Sequence, residues 1–576
     1  MLPTEVQRIL LLVGLAATAY LMILAWNDDY VAQKTPVEFS AEPEVGDVTG
    51  NDAGVPDTGA IDAPPAAQVG AGASDVPDAS LLGAVEPSAS ADVTAPVSEG
   101  RLIRVATDMQ EVWIDRVGGD IVRVQLPKHR LDINRDVPFL LLNRGDGHIY
   151  MAQSGLIGPD GVDSAERPTY QSAASEYTLK GNEPLIVSLS TRHQGLDVVK
   201  RFEFRPGEYQ VRVSYRIDNA SGREIRAGLF AQIKRDDKEA LGDKPFTLGP
   251  QPYLGAALTT NDSRYEKLTF DDLDEGPFRA AVDGGWIAFL QHYFLSAWIA
   301  NEDQTNQFYG QKRGDGTYIV GYTGPLRSVA PGATGEWNTR FYAGPKDQNR
   351  LEQIAPNLNL TVDYGFLWWL AVPLFKILDW VHSGVGNWGL AIVLLTVLVK
   401  LVLYPLSAAS YRSMANMRRV APQMKRLQER HADDRQKLST EMMALYKKEK
   451  VNPLGGCLPM LLPMPIFIAL YWVLFESVEL RHAPFMLWIH DLSAMDPYFV
   501  LPLLMGGSMF LMQLMSPAMG DPMQQKMMRL MPIMFTVLFL FFPAGLVLYW
   551  LVNNLLSMAQ QWYVMRQTEA KHAAKA

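Results

Sequence analysis

The sequence predicts a multi-domain membrane protein: an all-α polytopic membrane domain, six spans in total, joined to an external all-β sandwich domain. Three observations predict it. Stretches near the N-terminus and after Leu351 are long, apolar and almost free of charge, as bilayer-crossing helices require. Residues 101–344 instead alternate apolar and polar side chains over short runs separated by turn residues, which is the pattern of half-buried strands. Residues 28–100 do neither: they hold fourteen acids and one base, Lys34, a charge of −13, so the whole-chain charge of −10 leaves +3 for the remainder. A mean hydropathy of −0.02 therefore sums segments of opposite character. One cysteine excludes a disulfide scaffold, and 48% apolar residues exclude disorder throughout.

Residues 1–27 read as an N-terminal transmembrane anchor. Ile9–Trp26 carries no charge, and eighteen helical residues rise about 27 Å, enough to cross a bilayer core. A cleaved signal peptide is the competing reading, with Ala17-Thr18-Ala19 as the cleavage site, but cutting there would bisect the apolar run. Arg8 before the span and Asp28 and Asp29 after it place the N-terminus in the cytoplasm. Residues 28–100, rich in Ala, Pro and Gly and almost without aromatics, read as a disordered acidic linker.

Residues 101–345 form the β domain, outside the membrane. Val122-Val124-Leu126 and Val211-Val213-Tyr215 alternate cleanly, and Gly118-Gly119, Pro206-Gly207 and Gly314-Asp315-Gly316 supply turns. Its histidines lie far apart, with no metal-ligand or nucleophile spacing. Residues 346–387 combine a linker with an amphipathic helix at the membrane surface, because Pro373, Lys376 and Asp379 interrupt the apolar run and Trp368, Trp369 and Trp380 prefer the interface.

Five spans follow, at 388–406, 453–478, 499–516, 524–542 and 545–565, the last two joined at Pro543-Ala544-Gly545. Between the first two lies a cytoplasmic helical hairpin, 407–452, which from Ser407 to Lys450 holds eleven bases against five acids. The external loop 479–498 has Arg481 as its one lysine or arginine, and this asymmetry sets the orientation. A short basic tail, 566–576, ends the chain in the cytoplasm. In the hairpin, Met414, Met417, Met424 and Leu427 form one apolar stripe and Leu438, Met442 and Leu445 another; Ala432-Asp433-Asp434 makes the turn and caps the second helix. Of 25 methionines, 21 follow Lys400, as suits a surface that accepts varied partners, with ordinary membrane packing as the alternative.

Lys400 is the single charge deep in a span. It either snorkels to the interface or, with Thr396 four residues before and Ser407 seven after on the same helical face, lines a polar stripe facing water or protein. Gln513, Asn553, Asn554, Ser557 and Gln560 are polar residues of other spans that either bond to neighbouring helices or join Lys400 around a water-filled cavity. No Asp or Glu occurs inside a span, Glu476 being at the end of one, which counts against a proton- or ion-coupled transporter, and no HExxH or serine–histidine pair suggests an intramembrane protease.

Leu403-Tyr404-Pro405-Leu406, Glu441-Met442-Met443-Ala444-Leu445-Tyr446-Lys447 and Val451-Asn452-Pro453-Leu454-Gly455-Gly456-Cys457 resemble the YidC/Oxa/Alb membrane insertase family. So do Leu487-Trp488-Ile489-His490-Asp491-Leu492, Asp521-Pro522-Met523-Gln524-Gln525-Lys526 and Gly545-Leu546-Val547-Leu548-Tyr549-Trp550. Gly284-Gly285-Trp286 through Gln291-His292-Tyr293-Phe294 is similar to the external domain of Gram-negative members. The resemblance implies a non-enzymatic insertase, with no cofactor and no small-molecule substrate, moving short hydrophobic proteins sideways into the inner membrane through a hydrophilic groove. Lys400 stands where the family usually has Arg, keeping a point charge but losing bidentate carboxylate capture. Thr396 and Trp550 fall at substrate-contacting groove positions, with Trp550 where Tyr is frequent and Pro463 where glutamine is common. The third and fifth spans become an apolar slide through Ile466, Leu470, Met531 and Phe535. The hairpin, with Met424, Asp433, Asp434 and Met442, meets incoming chains. Implied partners are nascent membrane proteins with acidic translocated ends, subunits of the Sec translocon beside which the family acts as a chaperone, the ribosome through Lys571 and Lys575, and membrane lipids. A transporter or channel and a passive assembly scaffold are the rival readings.

Overall fold

The computed structural model describes residues 76–77, 99–133, 135–145, 147–238, 252–431, 434–449, 464–515 and 522–573. The anchor 1–27, most of the linker 28–100, residues 453–463 of the third span with Pro463, Asp433 of the hairpin and Lys575 of the tail lie outside the described residues.

From Leu102 to Pro345 the described residues build two sheets, of eleven and nine strands, packed face to face. Pairing is antiparallel throughout except between Leu102–Ala106 and Glu176–Thr178. Period-two alternation decides which side chains enter the core. In the strand Leu196–Phe204, residues 196, 198, 200, 202 and 204 are buried and their neighbours are not. That register carries a cation inside: Lys200 is fully buried.

Lys200 survives there because the core is polar around it. Its Nζ donates to the carbonyls of Gly118 and Ser154, each at 3.1 Å. Asp120, Asp163 and Arg167 complete a knot of two anions and two cations. Gly118 and Gly119 take left-handed backbone angles that bring the Gly118 carbonyl to both cations, and a Cβ on Gly118 would lie 2.4 Å from the Arg167 guanidinium. Burial pushes Lys200 down to about 7, with the Arg167 charge acting in the same direction and Asp120 and Asp163 opposing it. Between pH 7 and pH 10 the unfolded chain then holds a proton on this lysine that the folded chain does not. Stability of the β domain rises with pH across that window, by up to about 1.4 kcal/mol per unit. Denaturant unfolding of the full chain in detergent at pH 7, 8 and 9, followed by near-ultraviolet circular dichroism, measures this slope. Lys200→Met flattens it, and an equal slope in that variant would refute the assignment.

Two short helices belong to this part of the chain, α1 (Phe270–Glu275), opened by a capping box at Thr269, and α2 (Gln348–Ile354), capped by Asp347. Among the described residues eight further helices follow: α3 (Trp368–Val385), α4 (Trp388–Val402), α5 (Tyr404–Arg430), α6 (Arg435–Lys448), α7 (Met464–Glu476), α8 (Val500–Met515), α9 (Pro522–Phe539) and α10 (Ala544–Ala573). The face of α3 that carries Trp368, Trp369 and Trp380 is exposed, while Ala371, Leu374, Phe375 and Leu378 are buried, so the helix has one exposed aromatic face and one packed face. Among the described residues no single helix is both long and apolar enough to cross a bilayer; α7, α8 and residues 529–539 of α9 are shorter apolar helices.

The helix expected across 388–406 is instead two. α4 stops at Val402, and α5 starts at Tyr404 at 67° to it, so that only the bent pair together has the length and apolar composition of a span. Pro405 accounts for the break. It sits in the first turn of α5, where its missing N–H costs nothing, whereas inside one continuous helix it would remove a hydrogen bond and clash with the preceding turn.

Candidate functional site

Lys400 lies on the last turn of α4 and is 6% exposed. Its Nζ donates to Ser557 Oγ on α10 at 2.7 Å, and that hydroxyl donates onward to the Asn553 carbonyl at 2.7 Å. From the same helix, Gln560 Nε2 donates to the Lys400 carbonyl at 3.3 Å. Asn553, Ser557 and Gln560 are spaced i, i+4, i+7, one stripe of α10 turned to α4. A second stripe, Asn554 and Gln561, turns to α8: Asn554 Nδ2 donates to Ser508 Oγ at 3.0 Å and Gln561 Nε2 to the Met515 carbonyl at 3.4 Å. α10 is thus the polar spine of the bundle.

Beside Lys400 is a cavity of about 10 Å³, room for about one water molecule. Lys400, Ser407 and Asn553 line it with Val399, Leu403, Ile466 and Tyr549. Among the described residues no carboxylate lies against Lys400, and its side chain is held by a neutral hydroxyl. Buried polar atoms without a partner remain on the neighbouring helices: Gln513 Oε1, Gln560 Oε1 and Trp550 Nε1. Nor, among the described residues, do three His, Cys, Asp or Glu side chains gather as metal ligands would.

The candidate residues divide unevenly. Ser407, Asn553 and Ile466 join Lys400, but Thr396 spends its hydroxyl on its own helix, donating to the Ile392 carbonyl at 2.6 Å. Tyr549 lines the cavity where Trp550 was expected. Trp550, one residue and about 100° further round the helix, packs edge-on against Phe467 at 4.4 Å and faces Phe539 at 5.6 Å and Phe535 at 6.5 Å. Leu470 does not join an open slide. Burial grows along α7 from exposed Met464 and Pro465 to Ala469 and Leu470, which are enclosed by the bundle. Met531 and Phe535 are half-buried, and the exposed face of α9 is Leu530, Ile533, Met534 and Val537.

In the hairpin, Met417, Val420 and Met424 of α5 form a small core with Met442, Leu445 and Tyr446 of α6. Asp434 caps α6, its carboxylate accepting from the Lys437 N–H at 3.0 Å. Ser557 was expected as a residue that joins Lys400, and it does; Tyr549 and Gln561 were not among the expected site residues. The signal for Gln561 was present, since it continues the stripe begun by Asn554.

Comparison with known proteins agrees with this architecture. Residues 102–377 match the YidC periplasmic domain family and residues 380–571 the 60Kd inner membrane protein family. A Pseudomonas putida (strain W619) membrane protein insertase YidC is 50% identical over 98% of this chain and 99% of its own length. The Azotobacter vinelandii (strain DJ) protein of the same name is 48% identical over the same shares. A solved crystal structure of an active YidC insertase with its first transmembrane domain resolved aligns at 19% identity and a TM-score of 0.36, covering 84% of this chain and 96% of that one. With half of its residues shared over nearly full length, and both of its domains matched in order, the chain belongs to the YidC family of membrane protein insertases.

Proposed function

We propose that this insertase, which is not an enzyme, moves short hydrophobic proteins from the cytoplasm sideways into the inner membrane past Lys400. The observation that carries the reading is a cation buried among helices, held by a hydroxyl, with no carboxylate against it among the described residues. A buried charge without a counter-ion is costly, so a site that keeps one is suited to receive an anion. An acidic translocated end supplies that anion transiently. Burial of the client's apolar helix in lipid, at about 25 cal/mol per Å² of apolar surface, supplies the driving force. The unpartnered Gln513, Gln560 and Trp550 atoms are the natural partners of water or client backbone once the groove widens from its present one-water cavity.

Six spans, both termini in the cytoplasm and the β domain in the periplasm complete the proposal. The hairpin α5–α6 receives clients from the ribosome, and the bundle passes them to lipid alone or beside the Sec translocon. Reconstitution of the purified chain in pure lipid vesicles tests it. Unaided insertion of a small two-span protein with an acidic end is the expected result, and failure would favour a passive scaffold. A photocrosslinker at Trp550 should capture a stalled client, and one at Thr396 should capture it less, since that side chain is turned onto its own helix.

A further inference from the structure

The outer end of α7 is gripped by the β domain through three contacts that straddle residues 475–481. Lys346, the residue after the last strand of the sandwich, pairs with Glu476 at 2.9 Å, and both side chains are about 95% buried. His292, from the turn between strands Trp286–Leu290 and Phe294–Ile299, donates from Nε2 to the Phe475 carbonyl at 2.9 Å. That carbonyl is in the last turn of α7 and has no partner within the helix. Arg481 reaches the other way: its guanidinium donates to the Leu131 carbonyl at 3.3 Å and lies 5.4–5.9 Å from the rings of Phe139, Tyr293 and Phe294. Burial, then the Lys346 charge, pushes His292 down to about 3, so it is a neutral donor at any physiological pH and the grip does not loosen with mild acid.

Glu476 is ten residues, about 15 Å of helix, from Ile466 in the wall of the Lys400 cavity. We infer that the β domain fixes the position of α7 from outside, so that Lys346, His292 and Arg481 are positioning residues for the groove wall that Ile466 supplies. This rests on the groove reading for its consequence, though not for its geometry. A buried ion pair suits this purpose: its net stabilisation is small, but removing one partner strands a charge, so alternative seatings are strongly disfavoured.

The test uses the full chain in lipid nanodiscs with Cys457→Ser and Ile466→Cys. Glu476→Gln should speed hydrogen exchange of the 473–481 amides by about tenfold or more. It should also change the thiol reaction rate at Ile466→Cys by about threefold or more and lower client insertion, while a cysteine placed at Ser407 on the other wall keeps its rate. Lys346→Met with Glu476→Met, which leaves no stranded charge, should return all three readings to within about threefold of native. Should Glu476→Gln fail to fold, Arg481→Gln tests the same seat with the same expected directions. Faster exchange confined to the strands 286–299 and 334–345, with α7 and Ile466→Cys unchanged, would overturn the inference by showing that the pair serves the β domain alone. If Lys400→Ala leaves insertion intact while Glu476→Gln still loosens α7, the groove reading fails and the clamp stands.

Discussion

Replacing Lys400 with alanine should lower insertion of clients with acidic translocated ends by about 10- to 100-fold, the worth of one hydrogen bond to a charged group. Clients with neutral ends should insert as before. The ammonium has three donors and gives one to Ser557, so two remain for an arriving carboxylate. Lys400→Arg should retain activity, because guanidinium keeps the charge and adds a planar pair of donors. Protease protection of labelled clients in proteoliposomes measures each case, with acidic and neutralised versions of one client compared side by side. Equal insertion of both versions by Lys400→Ala would remove the cation from the mechanism. Ser557→Ala should give a weaker loss in the same direction, since it frees the ammonium from its stripe on α10 without removing the charge.

Why Lys400 was legible and its surroundings only partly so follows from what periodicity encodes. A charge inside an apolar run stands out at once, and the i, i+4 rule placed Thr396 on the same helical face as Lys400. It could not reveal that a threonine in a helix often turns its hydroxyl to the carbonyl one turn back, as Thr396 does to Ile392. Ser407 reaches the cavity for a different reason from the one its spacing suggested. The helical face does not run on from Lys400 to Ser407, because α4 ends at Val402, and the 67° bend at Leu403 returns Ser407 to the cavity. The alternation that marked the β domain also fixed, unnoticed, an inward lysine at position 200. Long-range pairs left no local trace. Lys346 and Glu476 are 130 residues apart, and Arg481, conspicuous as the one lysine or arginine of residues 479–498, proves to be inserted among aromatic rings of the β domain.

The same alternation makes the second large effect specific. Arg167→Met should destabilise the β domain by roughly 3–5 kcal/mol, the usual cost of stranding a buried charge. For a domain of this size that is a fall in melting temperature of roughly 6–20 °C. Arg167 Nη1 donates to Asp163 Oδ1 at 2.6 Å, and Nη2 donates to Asp120 and to the Gly118 and Ser154 carbonyls, so methionine leaves two buried carboxylates with Lys200 as the remaining cation of the knot, Asp120 keeping its neutral Gln153 donor. One of them cannot escape to water: Asp163 is fully buried, with its second oxygen committed to the Leu156 N–H at 2.8 Å. Arg192 is the control. It pairs with Asp197 on the surface with 73% of its side chain exposed, where screening and side-chain entropy leave an ion pair little net worth, and Arg192→Met should barely move the transition. Differential scanning fluorimetry of the full chain in detergent compares the two, and equal shifts would mean the knot is no more than a surface pair moved inside. Below its lowered melting temperature Arg167→Met should still insert clients, because the knot lies in the sandwich core and none of its members touches α7 or the Lys400 cavity. Loss of stability without loss of insertion would separate the strength of the β domain from its grip on the bundle.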